Sequence, residues 1–306
     1  MAGPELEVGV LEDYFAPSPE PGDLRGIWIG RKICEGQRQL VDLFDLKKRI
    51  YIGNTSMEAE LSLIMANQAM VAPGKLVYDP FVGTGSMLYT SAFFGSRVMG
   101  SDIDGRHIRG KKGKSVFDGA TQYNVRDGIL DCFISDLTQS PLRRGGFLDA
   151  IITDPPYGVR AGAKRLGRKD ESKLKTEPYR LPDGTFSHER DDWVPASRPW
   201  EMSEVLIELL SQSRELLKEG GRLVYWLPTV TSEYAESDIP RLKGLRLVAN
   251  SEQNFGKWAR RLITMEKHLH DTLESEETTP QATTMPAHFD FRLSYFNRFE
   301  SGSAAH

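Results

Sequence analysis

Cysteine is scarce in this chain. Only Cys34 and Cys132 occur in 306 residues, too few and too far apart for a disulfide framework or a paired-cysteine zinc site, so a reducing compartment is the natural setting. No apolar run reaches the roughly 18 residues that a membrane-crossing helix needs, and no membrane association is expected. The leading stretch MAGPELEVGVLEDYF is acidic and lacks the basic-then-apolar order of a secretory signal, which points to the cytoplasm. Excess positive charge is missing too: the net charge is -4 and the pI near 5.9. That excludes a chain that coats nucleic acid over its whole surface, but not a local basic patch. His268 and His270 form a close pair, yet neither cysteines nor a second histidine cluster complete a tetrahedral set, and no metal is expected.

What is present is a strand and helix alternation. Residues 1–29 are rich in proline, glycine and acids (APSPEPGD) and read as a flexible leading segment. Apolar spacing in ICEGQRQLVDLFDLKKR predicts a short amphipathic helix. Asn54-Thr55-Ser56, followed by Glu58 and Glu60, reads as the capped start of another. KLVYDP, RVMGSDI, CFISDL, LDAIITDPPY and GRLVYWLP are predicted strands, SMLYTSAFF and MSEVLIELLSQSRELL predicted helices. LRLVANSEQNF and RRLITMEK read as a closing hairpin. The expected fold is α/β and Rossmann-like, with a mostly parallel sheet and one antiparallel hairpin at its C-terminal edge. The domain is expected over 30–270, with a long proline-interrupted insertion at 160–199 and a polar, threonine-rich tail at 271–306.

Two strand ends carry chemistry. The first is DPFVGTGS: Asp79, then Gly83-Thr84-Gly85, then a helix. Glycines let a ligand approach the backbone, and a helix N-terminus favours a carboxylate or phosphate. A phosphate loop needs Gly-Lys-Ser/Thr, whereas Ser86-Met87 follows here. A dinucleotide fingerprint needs a third glycine where Leu88 stands. What remains is an acid before a Gly-x-Gly, a second acid (Asp102 or Asp104) at the next strand end, and a third, Asp136, after CFIS. Taken singly, each acid suits an ordinary strand-end cap. In order, they suit an amino-acid end, a ribose diol and an adenine amine, the three parts of S-adenosylmethionine.

The second strand end is ITDPPYG. Successive prolines stiffen the backbone, which presets the Asp154 carboxylate and the Pro155 carbonyl as acceptors, while Pro156 fixes Tyr157 as a flat face. A planar amine on an aromatic ring suits that set, because two acceptors on its N–H bonds make a poor nucleophile more electron-rich. Basic runs flank the site. HIRGKKGKS brings Lys111 and Lys112, and the stretch from Arg160 to Arg180 holds eight Lys or Arg against three acids, among them Arg160, Lys164, Arg165 and Arg168. The latter follows DPPYG directly and so borders the substrate mouth; both are read as phosphate contacts, which position RNA without reading its sequence.

DPFVGTGS, GSDID, an Asp-terminated strand and ITDPPYG occur in the order found in class I amino-methyltransferases. More narrowly, DLKKRIYIGNTSMEAELSLIMANQAM, VYDPFVGTGS and ITDPPYGVRAGA resemble the tRNA guanosine N2-methyltransferases that act on the guanosine at position ten. The resemblance covers roughly residues 30–270. It implies a seven-stranded sheet, S-adenosylmethionine as cofactor, and tRNA as substrate. It implies that Asp154 through Tyr157 hold the guanine amine, and that Asp79, Gly83, Gly85, Asp102 and Asp136 bind the methyl donor together with their motif neighbours Phe81, Thr84, Ile103, Asp104 and Leu137. The Asn54-Thr55-Ser56 turn would close over the methionine end. It also implies a partner, a small zinc-binding activator subunit. The family's N-terminal THUMP RNA-binding domain is not expected in this chain. Rival readings are transfer to adenine N6, cytosine N4 or a protein glutamine, and a catalytically silent RNA-binding scaffold.

Overall fold

A computed structural model describes residues 6–14, 24–157, 162–168, 177–190 and 193–268. Arg160, His270 and the 271–306 tail lie outside the described residues. The chain divides into a unit ending at Asp42 and one beginning at Leu43. In the first, β1 (Val8–Tyr14) pairs antiparallel with β2 (Leu24–Arg31), Val8 opposite Arg31. This hairpin differs from the flexible segment expected there. The Pro- and Gly-rich composition belongs to the stretch between the strands, whereas VGVLEDY and LRGIWIGR carry the β-branched and aromatic residues that favour extended chain.

Helix expectations before the sheet also need adjusting. The helix predicted across 33–49 is only α1 (Gln39–Leu43), followed by a single tight turn at Leu46–Lys48. Asp45 accepts from Lys47 N–H (2.9 Å) and so starts that new turn instead of extending the old helix. The next helix, α2 (Ala59–Gln68), begins after Glu58 without a side-chain cap. Ser56, expected near that position as a cap, has its hydroxyl engaged elsewhere, as described below.

The second unit holds β3 (Leu76–Asp79), α3 (Ser86–Phe93), β4 (Arg97–Asp102), α4 (Gly105–Arg109), α5 (Val116–Gln122), β5 (Ile129–Ile134) and β6 (Leu148–Thr153). These are followed by β7 (Lys164–Leu166), β8 (Ser197–Pro199), α6 (Met202–Leu216), β9 (Leu217–Val230), β10 (Leu245–Asn254) and β11 (Trp258–Lys267). Seven strands form one sheet in the order β10-β11-β9-β6-β3-β4-β5. Pairing is parallel from β5 through β9, and β11 runs antiparallel to both β9 and β10. This is the expected class I methyltransferase architecture. β5 ends at Ile134, short of the predicted strand, because Asp136 already caps the turn at Leu137–Gln139.

β6 is buried at nearly every position, as a strand covered on both faces must be. Leu206, Leu209 and Leu210 of α6 pack with Ile151, Leu223 and Tyr225 in the core, each such side chain contributing about 1.5–3 kcal/mol by leaving water. Sheet order reverses between β3 and β6, and in open α/β sheets that reversal opens a crevice at the carboxyl ends of the strands. Both sequence motifs sit at its rim.

Candidate active site

The two motifs are tied together. The Thr153 hydroxyl, one residue before Asp154, donates to Oδ1 of Asp79 at 2.7 Å. The same oxygen accepts from Phe81 N–H at 3.0 Å, which turns the chain out of β3. Asp79 is buried, and that burial pushes its carboxyl up to about 7, with Asp102 and Asp154 pushing the same way against the pull of the two bonds.

The glycine loop is held from several sides. Gly83 N–H donates to Oδ2 of Asp102 (3.0 Å), and Val82 N–H to the Ser101 carbonyl (2.8 Å), so the loop leans on the end of β4. Gly83 and Gly85 both have positive φ, 49° and 86°. A Cβ on Gly85 would meet Tyr89 and Val116 at 3.0 Å, whereas one on Gly83 would find nothing nearer than 3.9 Å. Gly85 is therefore required by packing, and Gly83 leaves open space beside the backbone. Ser56 accepts from Gly53 N–H (2.9 Å) and bonds the Thr84 hydroxyl (2.7 Å), which fastens the Asn54-Thr55-Ser56 turn to the loop, with Asn54 and Thr55 exposed beside it.

The strand-end acids are used differently from one another. Oδ1 of Asp102 accepts from Asp104 N–H (2.8 Å), and Oδ2 also faces His107 Nδ1 (3.3 Å). Asp104 turns away to cap α4 and pair with Arg106, whose hydrogen bonds hold its carboxyl down at about 2. Of the two candidates for the ribose position, Asp102 is the one joined to the glycine loop, and Ile103 sits half-buried between them. Asp136 is buried and both of its oxygens are taken: Oδ1 accepts from Thr138 N–H (2.8 Å) and Oγ1 (3.0 Å), Oδ2 from Leu166 N–H. Its side chain thus anchors β7 to the end of β5, with Leu137 buried next to it.

On the other rim, Asp154 follows β6 directly. Its Oδ1 is inaccessible to solvent and has no hydrogen-bond partner. Burial pushes the carboxyl up to about 7, moderated by Arg260 and by a hydrogen bond with Tyr157. Pro155 is buried, and Pro156 and Tyr157 are half-buried. Burial likewise raises the Tyr157 hydroxyl, which also bonds Arg260. A buried acceptor without a donor and a glycine beside open space are what a donor pocket and an amine site require, so the residues present fit both groups.

Two arginines escaped the sequence reading. Arg260, on β11, lies 4.5 Å over the Trp226 ring and 5.6 Å from Phe255, and its Nε donates to Gln253 (2.6 Å). Arg49 is buried under the glycine loop, where Nη1 donates to Ser86 Oγ (2.7 Å), Nη2 to the Thr84 carbonyl, and the guanidinium lies 4.5 Å from the Tyr89 ring centre. No local motif marks either. The basic residues that were singled out are spread: Lys111 and Lys112 occupy a tight turn closed by the Lys111–Lys114 bridge, while Lys164 and Arg165 lie on β7 and Arg168 just beyond it.

Residues 47–174 match the family model described as RMKL-like, methyltransferase domain. Those residues thus match a methyltransferase domain, and they include both strand-end motifs. More particularly, the chain is similar to the tRNA (guanine(10)-N(2))-methyltransferase of Schizosaccharomyces pombe, 42% identical over 307 residues that cover 100% of this chain and 62% of that protein. To the enzyme of the same description from Saccharomyces cerevisiae it is 40% identical over 266 residues, 86% of this chain and 61% of the relative. The chain thus spans about three fifths of the length of these curated relatives. The solved structure of TrmN from Thermus thermophilus is similar at a TM-score of 0.47 and 17% identity, covering 81% of this chain and 57% of that one, a likeness too distant to add weight.

Proposed function

We propose that this chain transfers a methyl group from S-adenosylmethionine to the exocyclic N2 amine of the guanosine at position ten of tRNA. The single observation that carries the reading is the Thr153–Asp79 bond, which sets the glycine loop and the Asp154-Pro-Pro-Tyr turn side by side where the sheet order reverses. The curated relatives at about 40% identity supply the substrate.

When bound, the donor supplies an electrophilic methyl group on a sulfonium. Gly83, Thr84, Gly85, Asp79 and Asp102 line its place, with the Asn54-Thr55-Ser56 turn over its amino-acid end. Asp154 and the Pro155 carbonyl accept the two N–H bonds of the target amine, and the Tyr157 ring stacks on the base. Holding the amine in line with the methyl group lowers the barrier by about 7–11 kcal/mol, and fixed acceptors add roughly 3–4 kcal/mol by analogy with an oxyanion donor. An amine that gains a methyl group must shed a proton. Oδ1 of Asp154, unpartnered and with a carboxyl near 7, is placed to take it. Within the 160–199 insertion β7 pairs with β8, and the insertion, parts of which lie outside the described residues, is read as a flap over this amine. Lys111, Lys112, Lys164, Arg165 and Arg168 would contact phosphates. We further propose that the chain works in the cytoplasm as the catalytic subunit beside a small zinc-binding activator.

Incubation of the chain, alone and with the activator, with labelled donor and a tRNA transcript tests this. Label is expected in N2-methylguanosine and absent when G10 of the transcript is changed to A. Label in N6-methyladenosine or only in protein would overturn it.

A further inference from the structure

Arg49 is a buried cation without a counter-charge. Its side chain forms no ion pair with a carboxylate among the described residues, and its Nε is buried with no hydrogen-bond partner. It is also placed against the wrong end of a helix. Ser86, which accepts from Nη1, is the first residue of α3, and Thr84, whose carbonyl accepts from Nη2, lies just before it. Helix N-termini carry partial positive charge and favour anions. α3 has Gly85 at its cap position, so no side chain satisfies its first N–H groups. Two positive features therefore converge in a buried place, and no anion of the described chain answers them. Burying an unpaired charge is costly, and the arrangement makes sense when an incoming anion completes it.

We propose that Arg49 is the residue that recognises the α-carboxylate of the methyl donor, together with the N-terminus of α3. This rests on the donor reading above and adds the residue that discriminates for the amino-acid end. A carboxylate has the sign that both the guanidinium and the helix N-terminus favour. The Ser56–Thr84 and Met57 N–H to Ser86 (3.2 Å) bonds fasten the flanking turn to the same few atoms. Tyr89, whose hydroxyl donates to the Thr84 and Val116 carbonyls, holds the guanidinium from below.

Calorimetric titration of the full chain with S-adenosylhomocysteine, S-adenosylmethionine, decarboxylated S-adenosylmethionine and 5′-methylthioadenosine tests the assignment. Wild type is expected to bind S-adenosylmethionine about 10- to 100-fold more tightly than its decarboxylated form, the range for a hydrogen bond to a charged group. Arg49→Gln is expected to lose that discrimination and to bind S-adenosylhomocysteine weaker by a similar factor, with 5′-methylthioadenosine unchanged. Arg49→Lys, which keeps the charge, should retain part of it and guards against a folding defect. Equal weakening of all ligands in Arg49→Gln would mean that Arg49 only braces the loop, and the inference fails. It fails equally if wild type does not distinguish the decarboxylated donor. Absence of any adenosyl ligand binding by wild type would instead overturn the donor reading itself.

Discussion

In the proposed reaction, Asp154 concentrates the chemistry in one oxygen. Its Oδ1 has no partner, so truncating the side chain removes an acceptor without breaking any bond made by that atom. Asp154→Ala is expected to lower methyl transfer by about 10²–10³ and to leave S-adenosylhomocysteine affinity within about threefold. An equal loss of donor affinity in titration would make the residue structural. Asp79 and Asp154 also predict a pH dependence. Both carboxyls stand near 7 in the folded chain against an ordinary 3.8. Between those values the folded state holds protons that the unfolded state has released, so stability falls as pH rises through that window and levels off above it. A cationic donor favours the ionised carboxylates, so its affinity should rise with pH up to about 7, with protons released on binding. Calorimetry in buffers of differing ionisation enthalpy reads that release, and none at pH 6.5 would contradict it. Arg260 lowers the Asp154 carboxyl, so Arg260→Leu should move the pH–rate profile in the alkaline direction.

At the scale of elements, the turn into α3 separates two kinds of glycine. Gly85→Ala forces a Cβ onto Tyr89 and Val116 at 3.0 Å with φ at 86°, and urea melts should show a loss of about 1–3 kcal/mol. Gly83→Ala has φ at 49° and no neighbour nearer than 3.9 Å. It should cost about 1–2 kcal/mol from the left-handed backbone alone, yet weaken donor binding more than Gly85→Ala does per unit of lost stability. If both variants lose stability alike and bind alike, the open space beside Gly83 is not part of the donor pocket. Asp136 gives the complementary lesson. The spacing of CFISDL predicts an acid facing adenine, but the structure commits both oxygens to Thr138 and Leu166. An adenine amine would have to share them with β7.

At the scale of the whole molecule, the RNA contact proposed above would have to come from patches, since the net charge is -4. If Lys111, Lys112 and the β7 residues meet phosphates, tRNA affinity should fall with salt at a log–log slope of about -0.7 to -0.9 per contact. Replacing Lys111 and Lys112 together by Glu should flatten that slope by more than one contact without changing which nucleoside is methylated. A slope unchanged in filter-binding titrations would place the RNA elsewhere.

The strands themselves, the acids that end successive ones and the two motifs were legible in the sequence because each is local. A glycine turn, a Pro-Pro pair or a period-two apolar run declares itself within a few residues. That suffices to read a parallel sheet and to place Asp79 and Asp154 at strand ends. The β1–β2 hairpin is hidden in the sequence because its connecting stretch dominates the local composition. Only the tertiary structure decided that Asp104 turns to Arg106, that Asp136 anchors β7, and that Thr153 joins the two motifs. It alone brought Arg49 under a loop 35 residues further on and set Arg260 of the edge hairpin against Asp154 and Tyr157. Those partners are set by how strands and helices stack, and the spacing of residues along the chain carries no trace of a contact made across a sheet.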